Sequence, residues 1–331
     1  MRRFFLTVFL LAALLFLGAG GWAIWWVYQP LRLPAPATDL SIEMGTLPRG
    51  VAQAVADAGV GVDPLLLYWW FRLSGQARSI KAGSYELEAG LTPHQLLAKL
   101  TRGEQALRAV TLVEGWTFRQ VRAALSKEEL LRHDTRGLDD DSLMKLVGLP
   151  GQHPEGRFFP DTYTYAKGSS DVALLQRALR AMDRQVAAAW AARTPQAVAA
   201  TPREALILAS IVEKETGKSA DRPLVSAVFN NRLRVGMPLQ TDPTVIYGMG
   251  EAFKGNLRKV DLQTDTPWNT YTRPGLPPTP IGAPGKAALL AAVQPAASKA
   301  LYFVARGDGS SQFSENLGEH NRAVNKFQRR Q

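Results

Sequence analysis

The amino-acid sequence predicts an α+β protein that begins with a transmembrane helix and continues into a small domain and a larger one. Residues 4–28 carry no charged side chain, and about 20 apolar residues are enough to cross a bilayer. Short strand and helix patterns alternate over residues 41–105, whereas long helical patterns stand out in residues 106–331. A proline-containing linker, residues 29–40, separates the apolar segment from the body.

The ends of the apolar segment predict its orientation. Arg2 and Arg3 precede it, and aromatic side chains crowd its far end, namely Trp22, Trp25, Trp26 and Tyr28. The positive-inside rule and the aromatic belt place residues 1–3 in the cytoplasm and the body in the periplasmic or extracytoplasmic space. A cleaved signal, even a twin-arginine one, is the alternative, but the segment is too long for one and no A-x-A site follows it. We therefore expect a retained single-pass anchor in the cell (inner) membrane.

The chain is basic, with 39 lysine and arginine residues against 29 acidic residues and a formal net charge of +10. The basic residues never form a run longer than a pair, so they indicate general attraction to an anionic envelope. A body outside the membrane excludes nucleic acid as a partner. The sequence contains no cysteine, which excludes disulfides, thiolate metal ligands and thiol nucleophiles.

The small domain, residues 41–105, is predicted to contain two strands and three helices. In chain order these are a strand at 41–44, helices at 49–58 and 63–73, a strand at 85–87 and a helix at 92–100. The strand-helix-helix-strand order of the first four elements resembles the LysM fold, which binds glycan strands. The alternative is a packing domain without a ligand, in which the aromatic run at residues 68–71 forms core.

The first half of the larger domain, residues 106–331, is predicted to alternate between short elements and broken polar sequence. In chain order it has a strand at 110–113, a turn at 114–115, a helix from the capping box of Thr117 and Gln120 to residue 131, a polar stretch at 134–154, and a long helix at 171–192.

A buried helix is predicted to begin at Thr201. This residue is a typical N-cap, and it is followed by a proline at the first helical position and a glutamate three residues after the cap. Residues 205–212 are apolar except for Ser210, so most sides of the helix are expected to be buried. Gly217 is the predicted stop, which puts two glutamates, Glu213 and Glu215, in the last turn.

Only one of these two glutamates is expected to lie in dry surroundings. Residues two apart on a helix point about 200° apart. The projection places Glu215 between Leu208 and Ile211 on the bulky apolar face, where burial and the negative end of the helix dipole should raise the pKa of its carboxyl. Such a group can donate a proton at neutral pH, as glycosidic cleavage requires. The alternative is that both glutamates are ordinary helix-end residues paired with nearby cations.

Several motifs of the larger domain resemble those of the YceG-like (MltG) endolytic murein transglycosylases. They follow the family's order at residues 155–163, 208–216, 228–233, 239–248, 269–271, 275–278, 302–304 and 320–321. The resemblance implies an endolytic lytic transglycosylase that cleaves the bond between N-acetylmuramic acid (MurNAc) and N-acetylglucosamine (GlcNAc) in nascent peptidoglycan strands. It also implies a 1,6-anhydro-MurNAc end as the product and termination of strand elongation as the consequence.

The resemblance further implies roles for individual residues. The catalytic residue of the family is similar in position to Glu215, the second glutamate of the triplet Glu213-Lys214-Glu215. It would protonate the leaving oxygen and then take the proton from the C6 hydroxyl of MurNAc. Substrate binding is expected of Glu213, Gln240, Thr241, Asp242, Asn269 and Tyr271. Turn formation is the alternative for the segments around 242 and 269.

The resemblance implies neither a metal nor a cofactor, and the four histidines, at 94, 133, 153 and 320, show no metal spacing. The expected partners are peptidoglycan glycan strands, with membrane-bound peptidoglycan synthases as expected neighbours.

Two other functions stay open. One is a hydrolytic muramidase, which would need a second carboxylate such as Asp242. The other is a non-catalytic, membrane-anchored peptidoglycan-binding scaffold.

Overall fold

The structure is a computed structural model that describes residues 2–329. Met1 of the predicted cytoplasmic segment, and Arg330 and Gln331 at the end of the predicted larger domain, lie outside the described residues. Over residues 2–329 the chain forms thirteen α-helices and six β-strands in three two-stranded sheets. This mixture confirms the predicted α+β class. The chain divides into two compact units, one of residues up to 108 with 166–168 and one of residues 109–165 with those from 169 onward.

An apolar helix, α1 (Arg2–Val27), begins the first unit. Its segment Leu6–Val27 is long and apolar enough to cross a membrane, by length and composition. Apolar side chains along it, such as Leu15 and Phe16, are exposed rather than packed against the protein. A helix of this kind is compatible with a single-pass anchor, and an N-terminal signal has the same features.

The rest of the first unit is a two-stranded antiparallel sheet with three helices. Its elements are β1 (Ala37–Ile42), α2 (Pro48–Asp57), α3 (Pro64–Leu73), β2 (Gly83–Glu88) and α4 (Pro93–Arg102), with a 3-10 turn at Ala77–Ser79. β1 and β2 pair so that Leu40 lies opposite Tyr85. Both side chains are buried, and together with apolar residues of the three helices they form the core of this unit.

Strand β1 begins four residues before the predicted position, 41–44. Alternate side chains of β1, those of Thr38, Leu40 and Ile42, face inward. The first inward-facing residue of β1, Thr38, is polar. The start of the strand therefore lacks the alternation of apolar and polar residues that indicates a strand, and its sequence resembles a linker. The aromatic run at 68–71 is divided between environments, because Phe71 is fully buried whereas Trp69 is exposed.

From β3 onward the chain forms the elements that surround the candidate site. The first set is β3 (Leu107–Thr111), α5 (Phe118–Leu125), α6 (Asp140–Val147), β4 (Thr162–Ala166) and α7 (Asp171–Ala191), and β3 and β4 form a sheet. The second set is α8 (Pro202–Glu215), α9 (Arg222–Arg234), α10 (Asp242–Met249), α11 (Lys259–Gln263), α12 (Lys286–Val293), β5 (Tyr302–Ala305), β6 (Ser311–Ser314) and α13 (Leu317–Phe327). Strands β5 and β6 pair antiparallel.

Two predictions for residues 117–154 are wrong. Helix α5 ends at Leu125 rather than at residue 131. Leu125 and Leu131 are both buried, yet six residues correspond to about 240° around a helix, so a turn is needed to bury both. The polar stretch 134–154 contains a helix, α6, which Asp139 caps through the Ser142 N–H and which ends at Gly148 with φ 102°. Both signals are present in the sequence, since Asp is a typical N-cap and Gly a typical helix stop.

Helix α8 is the centre of the second unit. All residues from Ala205 to Val212 are buried, and they contact the core residues of α7, α9 and α12. Thr201 caps the helix through the Glu204 N–H, as predicted. The helix ends at Glu215, two residues before the predicted stop at Gly217, because Thr216 already has an extended backbone. The buried Ser210 hydroxyl donates to the Ile207 carbonyl and accepts from the Ile281 N–H, so its burial costs little.

Shortening a core side chain of α8 should destabilise the second unit. Leu208 is fully buried, so we expect Leu208→Ala to lower the free energy of unfolding by about 2–5 kcal/mol. Leu208→Met keeps the volume and should cost less than about 1.5 kcal/mol. Urea unfolding of the full-length protein in detergent, followed by circular dichroism, measures both. Equal effects of the two variants would contradict the packing described for α8.

Candidate active site

Three consecutive side chains at the end of α8 point in three directions. Successive residues of a helix are about 100° apart, so Glu213, Lys214 and Glu215 cannot share one surface. Glu213 contacts Arg222, Glu215 contacts Thr241, and Lys214 lines an open cleft. The end of one helix therefore holds an ion-paired carboxylate, a cation and a second carboxyl in separate surroundings.

The carboxyl of Glu215 is withdrawn from solvent and has one direct hydrogen-bond donor. The Thr241 hydroxyl donates to Glu215 Oε1. Burial raises the pKa of Glu215 above its ordinary value, and the negative charge of Asp242 adds to this, whereas the Thr241 hydroxyl and the charge of Arg232 act in the opposite direction. The sequence predicted this raised pKa, which favours the protonated form of Glu215.

Arg232 is a buried cation behind this carboxyl. Its guanidinium donates to the carbonyls of Leu301 and Leu239, each at 2.7 Å, and it lies 5.3 Å from the ring centroid of Tyr302. These contacts hold the charge in place. Its positive charge favours the carboxylate form of Glu215 without a direct ion pair.

Glu213 is bound to the protein through both oxygens. Arg222 Nη2 lies 3.2 Å from Glu213 Oε1, and the Gly285 N–H donates to Oε2 at 2.8 Å. The two side chains are only 7% and 12% exposed, with Glu213 the lower. Burial raises the pKa of Glu213 as well, so dryness does not separate the two glutamates as the sequence projection suggested. The difference is that Glu213 has an arginine partner and Glu215 does not.

Thr241, Asp242 and Tyr271 come together beside Glu215. Thr241 is the N-cap residue of α10, yet its hydroxyl does not cap that helix and is directed to Glu215 instead. The Tyr271 hydroxyl donates to Asp242 Oδ1 at 2.6 Å. Burial, followed by this hydrogen bond, raises the pKa of Tyr271, so Tyr271 stays a neutral donor.

Asn269 and Gln240 hold the loops that carry these side chains. Asn269 is fully buried, and its side-chain amide donates to the carbonyls of Leu262 and Thr264 and accepts from the Tyr271 N–H at 2.8 Å. Gln240 has φ 46°, the only positive value for a non-glycine residue within the described range. Such a conformation costs on the order of 1 kcal/mol and is frequent at functional sites.

The structure thus brings four predicted site residues into direct contact pairs, Glu215 with Thr241 and Asp242 with Tyr271. Asn269 holds the loop of Tyr271 through its side-chain amide, and Gln240 has a strained backbone. Glu213 faces Arg222 and the loop before α12. The substrate-binding roles of these residues stay predictions.

The sequence interpretation assigned no role to Glu155, which lies in the large cleft of this unit. The cleft measures about 1040 Å³ and is lined by Lys214, Tyr247 and Trp268 among others. The carboxyl of Glu155 is 4% exposed. It accepts from the Phe118 N–H at 3.0 Å and from the Tyr247 hydroxyl at 3.1 Å. Burial raises the pKa of Glu155 to about 7.

The sequence did offer one signal for a role of Glu155, its position at the start of the motif 155–163. The sequence does not reveal that its carboxyl bonds Phe118 and Tyr247. Glu215 itself does not line this cleft, but its neighbour Lys214 and Pro243 of α10 do. No group of three or more histidine and acidic side chains within residues 2–329 is placed to hold a metal ion.

A half-buried carboxyl with a raised pKa and a hydroxyl donor beside it are groups that general acid–base chemistry can use. The chain belongs to the YceG-like family, whose sequence profile matches residues 40–326. It is similar to the endolytic murein transglycosylase of Bacillus subtilis (strain 168), with 28% identity over 317 residues that cover 90% of this chain and 87% of that protein.

Two further comparisons agree with this membership. The chain is 27% identical over 352 residues to the endolytic murein transglycosylase of Streptococcus pneumoniae serotype 2, covering 95% of this chain and 63% of that protein. The crystal structure of a protein named yceG-like from Listeria monocytogenes superposes with a TM-score of 0.56 at 29% identity, covering 87% of this chain and 98% of that one.

Replacing Glu155 should change how stability depends on pH. Folding keeps the proton on Glu155 up to a pKa of about 7, whereas the ordinary value is 4.5. The folded state therefore binds more protons in this window, and the wild-type protein should lose up to about 3 kcal/mol of stability as the pH rises through it. Glu155→Gln stays neutral and should lack this loss.

Urea unfolding of both proteins at a series of pH values between 4 and 8 measures the effect. Other titrating groups contribute equally to the two curves, so the difference between them isolates Glu155. Curves that stay parallel across the whole range would contradict the buried, proton-binding state of this carboxyl.

Proposed function

We propose that this protein is a membrane-anchored endolytic lytic transglycosylase that cleaves the MurNAc–GlcNAc bond of peptidoglycan strands and leaves 1,6-anhydro-MurNAc ends. The observation that carries the proposal is Glu215, a half-buried carboxyl with a raised pKa beside the Thr241 hydroxyl, in a chain of the YceG-like family. Endolytic murein transglycosylase is the name of the similar Bacillus and Streptococcus proteins.

The proposed reaction uses Glu215 twice. The protonated carboxyl donates its proton to the glycosidic oxygen, and the bond from C1 of MurNAc to that oxygen breaks as positive charge develops at C1. The C6 hydroxyl of the same sugar then forms a bond to C1, and its proton passes to the Glu215 carboxylate. The acid is restored, no water is consumed, and the product is an anhydro ring.

The neighbours of Glu215 suit this double use. The Thr241 hydroxyl and the Arg232 charge stabilise the carboxylate that exists between the two proton transfers, while burial keeps the acid form accessible. We assign substrate positioning to Gln240, Asp242 and Tyr271, with Asn269 holding the loop. Glu213 would contribute by fixing the end of α8 through Arg222.

We further propose that α1 anchors the protein in the cell membrane, with residues 1–3 in the cytoplasm and the body on the opposite side. Residues 41–105 would form a LysM-like domain that binds glycan, and residues 106–331 the catalytic domain. An enzyme tethered in this way would cut strands close to the membrane, next to the synthases that extend them.

Removing the acid should abolish product formation. Glu215→Gln keeps the size of the side chain but cannot donate a proton, so release of anhydro-MurNAc ends from peptidoglycan should fall at least about 100-fold, and up to about 10,000-fold. Mass spectrometry of the soluble fragments measures this. Glu315→Gln removes an exposed acid elsewhere in the same unit and is the matched control.

The same experiment separates the other functions. Reducing MurNAc ends instead of anhydro ends would indicate a hydrolytic muramidase. A wild-type protein that binds peptidoglycan but releases no fragments would indicate a non-catalytic scaffold.

Removing the Thr241 hydroxyl should shift the pH profile of the reaction. This hydroxyl favours the carboxylate of Glu215, so Thr241→Val should raise the pKa of Glu215 and move the alkaline limb of kcat up by roughly one pH unit. Thr272→Val removes a hydroxyl that bonds Asp265 instead and should leave the limb in place. A limb that moves to lower pH, or not at all, would contradict the role given to Thr241.

A further inference from the structure

The large cleft of the second unit contains a cation without a direct protein partner. Arg119 pairs with Glu251 at 2.9 Å and Arg122 with Asp140 at 3.1 Å. Lys214 also lines the cleft, but within residues 2–329 it has neither a hydrogen bond nor an acid within 4.0 Å of its amino group. The other positive charges of the cleft are thus neutralised and that of Lys214 is not.

The nearest acids are already engaged. Glu155 and Glu213 act on Lys214 only through longer-range attraction. The Glu155 carboxyl accepts from Phe118 and Tyr247, and Glu213 is held by Arg222 and Gly285. Neither is free to turn toward the lysine without leaving a buried donor unpaired, which costs about 1–3 kcal/mol.

The stem of Lys214 is held between two glycine backbones. A Cβ added at Gly282 would lie 2.8 Å from the Gly115 carbonyl oxygen and 3.3 Å from Lys214 Cε. A Cβ at Gly115 would lie 3.9 Å from Lys214 Cδ, and this glycine has φ +76°. The Gly115 N–H donates to the Ala283 carbonyl at 2.8 Å, which holds the two segments together. The methylene chain therefore lies close to both glycine segments, and Lys214 lines the cleft.

The rest of the cleft wall suits a sugar polymer that carries anionic groups. Tyr247 and Trp268 form one side, with their ring centroids 5.4 Å apart. Aromatic side chains bury the apolar faces of sugar rings. Burial lowers the pKa of His153, another lining residue, so it adds no positive charge at neutral pH. Among the cationic lining residues of the described chain, Lys214 is the one without an acidic partner within 4.0 Å.

We propose that Lys214 binds a carboxylate of the glycan strand in this cleft and thereby positions the strand for Glu215, the next residue in the chain. This inference rests on the proposed function. The carboxylate has two possible sources, which share their chemistry: the lactyl group of a MurNAc residue without a peptide, or the peptide stem of a MurNAc residue that bears one. Lys214 is a positioning residue and exchanges no proton with the reacting atoms.

The test compares the full-length wild-type protein with Lys214→Met, which keeps the stem and loses the charge, and Lys214→Arg, which keeps the charge. The substrates are strands with intact stems, strands trimmed by an amidase to bare lactyl groups, and both strands after conversion of their carboxylates into amides. Lys259→Met, which removes an exposed cation that does not line the cleft, is the matched control.

We expect Lys214→Met to raise KM roughly tenfold with kcat nearly unchanged on strands that carry the recognised carboxylate. Lys214→Arg should restore most of the loss, and the difference between wild type and Lys214→Met should vanish on amidated strands. An effect on trimmed strands alone assigns the lactyl carboxylate, and an effect on stem-bearing strands alone assigns the stem. A loss of the same size on amidated strands, or no loss on any strand, would overturn the proposal.

A binding measurement keeps this inference distinct from the proposed function. Dissociation constants of the same strands are compared for Glu215→Gln and for the double variant Lys214→Met/Glu215→Gln, in which no cleavage interferes. Weaker binding by the double variant, on carboxylate-bearing strands only, supports the role of Lys214 even if the wild type releases no anhydro ends. Equal binding by both variants overturns it even if the wild type is an active lyase.

Discussion

The burial of helix α8 fixes the directions of the three charged side chains in its last turn. The eight residues from Ala205 to Val212 are all inside the core, so the helix can neither rotate nor shift without exposing large apolar side chains. Its last turn therefore presents Glu213, Lys214 and Glu215 in fixed directions about 100° apart. The packed helix thus directs Glu213 to Arg222, Lys214 to the cleft and the half-buried Glu215 to Thr241.

The end of α8 is also an unfavourable place for two carboxyl groups. The helix dipole puts partial negative charge there, and anions at this end are destabilised. Arg222 and the Gly285 N–H offset part of that cost for Glu213 and hold the helix end, while burial still raises the pKa of its carboxyl. Glu215 has no ion-pair partner, and the Thr241 hydroxyl and the charge of Arg232 offset only part of the effect of burial, so its pKa is raised. The two glutamates at this helix end therefore share a raised pKa but differ in their partners, an arginine for Glu213 and a threonine hydroxyl for Glu215.

The sequence predicted these elements where local signals coincide, and it failed where tertiary contacts decide. The cap at Thr201, the apolar run after it and the position of Glu215 were all readable. The end of α5 could not be predicted, because it depends on a tertiary contact: the turn after Leu125 allows Leu131 to be buried as well. The sequence did not predict that Glu155 and Lys214 line the same cleft. The two residues lie far apart in the chain and come near each other only in the folded protein. The partner of Glu213 was similarly hidden, because a helix projection reports which face a residue lies on but not which side chain covers it.

A group that first donates and then accepts a proton needs a pKa close to the pH at which it works. Burial alone would raise the pKa of Glu215 further, whereas a direct arginine partner would favour the carboxylate over the acid. The observed surroundings lie between these extremes. Thr241 supplies one neutral donor, and Arg232 supplies positive charge from behind, with its own hydrogen bonds directed to the Leu239 and Leu301 carbonyls. Because Arg232 is committed to those carbonyls, it can moderate the pKa of Glu215 without moving to form an ion pair when the carboxylate appears.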